Sequence, residues 1–329
     1  DQLQYGIEDD TSISERVRMQ NIAGTLPLMS QGITFLQLGG DLIRSKSLDR
    51  NTYDAGDWFN RIDFTKQTSN WNVGLPLAQD NQGKWAQMSA LNNNLETQPM
   101  SQDIAFSSAI FQEFMSIRAT SPLFRLTSEQ AVLDRVGFHN TGSKQTAGLI
   151  VMSIDDGTGF TDLDSANDAI VVVINGSDSE QSHTILTAQG FELHSVQQNS
   201  ADSIVQSASF SQSLNEGTFT VPALTTAVFV KPQQGAQGTG LAAGVTRDAP
   251  DIAPFGDTVV YLRGTMTSWD DSGLTLDESF EYQGNGIYQM ELSITAGAQS
   301  FRLTSADAVV LDLGFTDLNV TNSAIALTN

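Results

Sequence analysis

The chain has 329 residues, 16 basic against 38 acidic, for a formal net charge of −22. So acidic a surface repels nucleic-acid phosphates and anionic lipid, which argues against both as partners. There is no cysteine, which excludes disulfides and thiolate metal sites, and His139, His183 and His194 give no i, i+4 pair, which argues against a histidine-ligated metal.

The length suggests two or three domains. No apolar run approaches the roughly twenty residues of a membrane span. No initiator Met and no signal peptide open the sequence, so it reads as a fragment of something longer.

In chain order, the first element is a helix over residues 12–28. Ser12 and Glu15 fit a capping box, and Met19, Ile22, Ala23 and Leu26 share one face. Pro27 falls near its end. Residues 33–38 form a mostly apolar run with little alternation, which predicts a strand buried on both faces. Gly39 and Gly40 end it. Helix, short loop, buried strand and Gly pair, followed by a dense polar loop, is the order of an α/β barrel, whose post-strand loops build the site.

That loop, residues 44–64, has neither helical nor strand period. It gathers Arg44, Lys46, Asp49, Arg50, Asn51, Tyr53, Asp54, Asp57, Trp58, Asn60 and Arg61. Flat aromatic faces beside amides and carboxylates suit a polyhydroxylated ligand. The same composition also fits a solvated surface loop with a few anchoring aromatics. Residues 66–99 show no sustained period, which in a compact domain marks a functional or mobile loop. Trp71 and Trp85 within it either stack on a sugar or anchor the loop. Residues 101–120 read as a second helix, with Ile104, Phe111, Phe114 and Ile117 on its apolar face and Pro122 as its stop.

From residue 124 to 232 the pattern changes to short β-branched runs, at 149–154, 169–174, 219–221 and 227–230, which predicts an antiparallel sandwich. Asp155, Asp156 and Gly157 read either as an Asp-Gly turn between strands or as calcium ligands. Residues 233–254 are rich in Gly, Ala, Gln and Pro and read as a flexible linker. Residues 255–329 form a third unit, again β, with strands expected at 259–262, 287–292 and 300–304.

Several ordered motifs carry a resemblance. QGITFLQLGGDLIRSKS, NTYDAGDWFNRIDF, SPLFRL at 121–126, GFHNTG and GLIVMSIDDG together resemble bacterial pullulanases, debranching members of the α-amylase superfamily. The resemblance covers roughly residues 1–232. It implies that residues 1–122 are the C-terminal part of a (β/α)8 catalytic barrel and that 123–232 are an all-β antiparallel sandwich. YLRGTMTSWD, FEYQGNGIYQMEL and AGAQSFRL are more loosely similar to accessory starch-binding modules, which implies a second small β-sandwich over 255–329.

The resemblance implies retaining hydrolysis of α-1,6 branch linkages, with two carboxyl groups about 5 Å apart. It places the nucleophile, the acid/base and the third carboxylate upstream of Asp1, so no catalytic residue is expected here. What remains is part of a sugar-binding rim. Asn51, Tyr53 and Asp54 are expected to touch sugar. Arg44 is expected to orient the loop through carboxylates, and Asp57, Trp58 and Asn60 to hold its shape. In the third unit Trp269 is the expected glucan contact and Tyr282 the next, with Tyr288 facing the core. The implied partners are α-glucans, namely pullulan, amylopectin or limit dextrin, and the implied location is extracellular. No cofactor is implied. A non-catalytic α-glucan-binding protein and a ligand-free structural module are the competing readings.

Overall fold

The structure is a computed structural model. It describes residues 3–54, 56–141, 145–214, 216–241, 255–256, 258–267, 279–284, 287–292, 300–306 and 312–314. The chain divides into two compact units, Asp1–Asn140 with Thr146–Asp248, and Thr141–Gln145 with Ala249–Asn329.

The first unit opens with helix α1, Ile13–Met29. Ser12 caps it as its sequence requires. The Glu15 amide donates to Ser12 Oγ at 3.3 Å, and the Ser12 amide donates back to Glu15 Oε2 at 3.0 Å. Short helices α2, Ala78–Asn81, and α3, Trp85–Asn93, break up a region whose sequence shows no period. Helix α4 spans Ser101–Thr120. It lies against α1, with Ser107 Oγ donating to Asn21 Oδ1 at 2.8 Å. Arg118 donates to the carbonyls of Leu28, Ser30 and Gly32, which caps the end of α1 from another helix. Helix α5 is Glu129–Arg135.

The strands follow as β1 (Val136–Phe138), β2 (Leu149–Asp155), β3 (Asn167–Asn175), β4 (Gln181–Leu186) and β5 (Glu192–Leu193). After the short helix α6, Ser195–Gln198, come β6 (Ser209–Gln212), β7 (Glu216–Val221) and β8 (Thr225–Pro232). They build two sheets, β1-β2-β3-β8-β5 and β4-β7-β6, antiparallel throughout.

The five-stranded sheet is covered on both faces. Val151, Val171, Val173 and Phe229 meet Ile185, Phe219 and Val221 of the smaller sheet. The alternate residues Met152, Ile154, Ile170, Val172, Val228 and Val230 meet Leu28 and Met29 of α1 and Ile110, Phe114 and Ile117 of α4. Double burial is why 149–154 and 169–174 read as near-continuous apolar runs, without the in-out alternation of a half-exposed strand. Buried Arg18 ties α1 to the strands. It donates to the Leu224 carbonyl and Thr225 Oγ1 and pairs with Asp202 at 2.9 Å.

Two sequence expectations fail here for physical reasons. Residues 33–38 form no strand and pair with no neighbour among the described residues. A buried parallel strand needs flanking strands to take its amides and carbonyls, and these residues have none. Ile33 and Phe35 are each 87% exposed, which is the apolar surface expected of this run when only this chain is present; the strand itself is what fails. There is no closed barrel among the described residues.

The second failure is the start of the linker. Residues 237–241 lie back on the strands. The Gly238 amide donates to Asp168 Oδ1 at 2.8 Å, and the Leu241 amide to Asp155 Oδ1 at 3.1 Å. Gln237 Nε2 donates to the Asp156 carbonyl at 2.6 Å. Composition marked this stretch as flexible because it lacks side-chain period. Its anchors are two backbone amides and one long-range side-chain amide, whose partners composition does not encode. The same contacts settle what Asp155 and Asp156 do. Asp155 also accepts from the Gly157 amide at 3.0 Å. Asp156 pairs with Arg135 and accepts from the amides of Leu163 and Asp164. Burial raises both carboxyl pKa values. Neither residue sits in a tight hairpin, since eleven residues separate β2 from β3 (156–166). Among the described residues no cluster of three or more ligating side chains could hold a metal, and no helix is long and apolar enough to cross a membrane.

The second unit shows one antiparallel sheet, β9 (Val260–Gly264), β10 (Ser279–Gly284), β11 (Ile287–Gln289), β12 (Phe301–Thr304) and β13 (Asp312–Gly314), in the order β11-β10-β9-β12-β13.

Candidate functional site

The loop after Gly40 has a bolted root and an open tip. The root is a chain of tight turns with left-handed backbone at Ile43, Lys46, Ser47 and Leu48, all with φ between 48° and 65°. Such conformations cost side-chain-bearing residues about 1–3 kcal/mol each, so they persist only under strong local restraint. Here the hydrogen-bonding restraint comes from residues 24 to 27 positions later. The Ser45 amide donates to the Ser69 carbonyl at 3.0 Å and Ser45 Oγ to the Asn70 carbonyl at 2.8 Å. Ser47 Oγ donates to the Gly74 carbonyl at 2.6 Å. Leu48 is fully buried with Trp71, Met88 and Leu91. Tyr5 donates its hydroxyl to the Leu48 carbonyl, and its pKa is pushed up to about 12 by burial and by the charge of Asp49.

Asp49 is the hub of the root. It has no solvent exposure and pairs with Lys46 at 3.2 Å. It accepts from the Thr52 hydroxyl and amide and from Asn81 Nδ2 at 2.9 Å. Burial alone would raise its pKa, but these hydrogen bonds outweigh burial and hold the carboxyl below its ordinary range. Asn81 reaches the loop a second time, accepting from the Arg50 amide at 3.1 Å. Asn81, Ser45 and Ser47 carry this positioning role, and sequence reading missed it. Their partners lie far along the chain, and no local pattern marks them.

The tip then projects. Asn51, Tyr53, Asp54 and Asp57 are exposed, Tyr53 at 90%. Asp54 adopts left-handed backbone at φ 49°. Past the tip the loop is fastened again. The turn Trp58–Asn60 closes with the Asn60 amide donating to the Asp57 carbonyl, while Asn70 Nδ2 donates to the Trp58 carbonyl at 3.0 Å. Phe59 is buried, and the Trp58 ring meets it edge-on at 5.4 Å. Asp63 gathers the amides of Thr65, Gln67 and Thr68 to close the far end. Asparagine, tyrosine and carboxylate side chains on a short projecting span held at both ends can bind hydroxyl groups with little ordering cost.

Arg44 departs from expectation. Among the described residues its guanidinium meets no carboxylate, so it does not orient the loop through one. Its side chain lies against Gly39, where an added methyl would come within 3.1–3.4 Å of it. Trp71 and Trp85 are anchors: Trp71 is buried, and Trp85 Nε1 donates to the Pro76 carbonyl at 2.9 Å.

In the second unit Trp269 lies outside the described residues. Tyr282 pairs directly across from Tyr288 in the β10–β11 register, so the two rings share one sheet face. Their centroids are 5.1 Å apart, and Phe255 lies 5.4 Å from Tyr288. Tyr282, expected as the second glucan contact, and Tyr288, expected to face the core, thus lie on the same face of this sheet.

Comparison with known proteins gives this geometry a family. Residues 66–232 match the family model described as Alpha-1,6-glucosidases, pullulanase-type, C-terminal. The chain is 40% identical over 232 residues to the chloroplastic Pullulanase 1 of Arabidopsis thaliana, covering 69% of this chain and 24% of that protein. It is 38% identical over 242 residues to the pullulanase of Klebsiella pneumoniae, covering 73% and 22%. A crystal structure of Klebsiella pneumoniae pullulanase complexed with maltotriose superposes with a TM-score of 0.64 at 35% identity, over 72% of this chain and 22% of that one. The chain thus spans about a quarter of the length of these curated relatives. With a matched model over 66–232, and relatives whose likeness extends beyond it, the chain belongs to the pullulanase-type α-1,6-glucosidase family and carries its C-terminal domain.

Proposed function

We propose that this chain is the C-terminal portion of a retaining, extracellular debranching enzyme acting on α-1,6 linkages of pullulan, amylopectin or limit dextrin. Its part in that reaction is to supply one side of the sugar-binding rim from residues 44–60. In this reading residues 1–122 complete a (β/α)8 barrel, and the exposed run at 33–38 becomes a strand only when neighbouring barrel strands are present to pair with it. The observation that carries the reading is the contrast along the loop. The root is fixed by buried polar contacts, while Asn51, Tyr53 and Asp54 are exposed and make no interior contact among the described residues. A relative solved with maltotriose supports a glucan as the ligand.

The reading assigns no catalytic carboxylate to this chain, because retaining cleavage needs an acid and a nucleophile about 5 Å apart. Asp54 and Asp57 belong to the rim and its support. The purified chain should therefore release no reducing sugar from pullulan above a mock preparation, and measurable release would refute the assignment. Placed in a longer polypeptide that supplies the barrel carboxylates, the chain should be active, and Tyr53→Ala should raise KM for pullulan severalfold. A Tyr53→Ala enzyme with unchanged KM and kcat would remove the rim from the mechanism.

A second reading, glucan binding without catalysis, rests on the second unit. Phe255, Tyr282 and Tyr288 form a half-buried ring cluster on one sheet face. Retardation of residues 1–329 in amylopectin gels, weakened by Tyr282→Ala or Trp269→Ala, would favour it. Equal mobility with and without amylopectin would sink it.

A further inference from the structure

Beneath the root of the loop lies a cavity of about 440 Å³, which is the size of a small-ligand site. Its polar lining is one-sided. Arg16, Arg44 and Lys46 line it with the amides of Gln4, Gln20 and Gln37, and none of its described lining residues is acidic. Acidic residues outnumber basic ones 38 to 16 in this chain, so a hollow with three cations and no carboxylate runs against the composition.

The three cations are not equivalent. Arg16 is saturated: it donates to the carbonyls of Thr11 and Glu8 and to Gln4 Oε1, at 2.8, 2.6 and 2.6 Å. Lys46 is paired with Asp49. Arg44 alone has neither a carboxylate nor a carbonyl partner among the described residues. Burial also drags its pKa below the ordinary guanidinium range. A partly buried guanidinium without a protein acceptor has lost part of its hydration, and an anion in the cavity would offset that loss. Val17, Leu48 and Trp71 add apolar wall to the same cavity.

We propose that this cavity is a carboxylate receptor. Arg44 takes both carboxylate oxygens through its planar fork, Lys46 adds charge, and the apolar wall receives the body of the acid. A single unpaired arginine in a protein of charge −22 favours a monoanion over a dianion such as phosphate. The carboxylate can come from a free organic acid or from an Asp or Glu side chain of a polypeptide. The chemistry is the same, and the experiment separates the two. The inference is independent of the glucan reading, because a chain with no glucan affinity can still bind an acid here.

The test titrates the full 329-residue chain with propionate, with capped glutamate (N-acetyl-glutamate amide) and with inorganic phosphate. Ionic strength is held constant with sodium chloride, and thermal shift and calorimetry are the readouts. A saturable rise in Tm with propionate or capped glutamate is expected. It should be abolished in Arg44→Gln and weakened at least tenfold in Arg44→Lys, which keeps the charge and loses the fork. Should Arg44→Gln fail to fold, Arg44→Lys carries the comparison. Tighter binding of capped glutamate assigns the carboxylate to a polypeptide side chain, and tighter binding of propionate assigns it to a free acid. No saturable response to either, a response unchanged in Arg44→Lys, or a response to phosphate alone would overturn the receptor.

Discussion

Gly240 offers the sharpest stability test, because the structure places three obstacles around one missing methyl group. Its backbone is left-handed at φ +40°, where alanine costs about 1–2 kcal/mol. A Cβ there would overlap Asp155 Oδ1 and stand only 2.7 Å from the Gly157 amide nitrogen. Neither obstacle can yield cheaply. Asp155 is buried and accepts the amides of Gly157 and Leu241, and each hydrogen bond to a charged group contributes about 1.5–3 kcal/mol. Gly240→Ala must push Asp155 away from both donors or lift residues 237–241 off the strands. The second route caps the loss, so about 3–5 kcal/mol is expected, or roughly 10 °C in Tm for a unit of this size. Urea unfolding followed by fluorescence gives the free energy. Limited proteolysis within 233–241 reports the lifted segment. Gly235→Ala is the internal control: it has the same kind of backbone, φ +87°, but nothing within 4 Å of the added methyl, so only the conformational cost remains. Equal losses in the two variants would refute the claim that buried aspartates hold this segment.

Three further outcomes follow from the structure. His139 is half-buried, with its Nε2 at 2.8 Å from Ser153 Oγ, and desolvation lowers its pKa to about 4, with the charge of His183 adding to the shift. A histidine depressed in the folded state binds its proton first in the unfolded state. Stability is therefore complete above the unfolded pKa of about 6.5 and falls by about 3 kcal/mol as pH drops toward 4. His139→Gln should flatten that slope in pH-dependent urea unfolding, and an unchanged slope would exonerate the residue. Asn81→Ala should cost about 2–3 kcal/mol and make residues 49–58 protease-sensitive, since it strips one donor from buried Asp49 and one acceptor from the Arg50 amide; resistance equal to wild type would contradict the hub. Tyr53→Ala, by contrast, should leave Tm within about 1 °C in differential scanning calorimetry, because the ring is 90% exposed.

What the sequence made legible were features encoded within one turn or one run. The Ser12–Glu15 box, the α4 boundaries at Ser101 and Thr120 and the apolar runs of β2 and β3 are of this kind. Periodicity and capping are short-range, so a single chain displays them. The run at 33–38 misled because apolar composition reports a preference for burial and not the presence of neighbours to bury against. Residues 237–241 misled in the opposite direction: the stretch looks slack until the amides of Gly238 and Leu241 find buried carboxylates and the Gln237 side chain finds backbone carbonyls. The exposure of the loop tip was legible, since Asn51, Tyr53 and Asp54 sit in a polar stretch without helical or strand period. The loop's root was not. Asn81 and Asp49 meet across 32 residues, and nothing local announces the encounter. The family resemblance supplied the α-1,6-glucan chemistry, which no periodicity contains.

The matched family stretch begins at residue 66, yet the five-stranded sheet takes part of the cover on one face from a helix that ends at Met29. A truncation that respects sequence similarity would strip that helix away. It would remove Leu28 and Met29 from the cluster that holds Met152, Ile170, Val172 and Val228, and leave Asp202 without Arg18. The product would be a sticky remnant rather than a portable module. Grafting this domain onto another catalytic scaffold therefore means moving α1 with it, and any homologue that drifts at Leu28 or Met29 must compensate inside strands more than a hundred positions away.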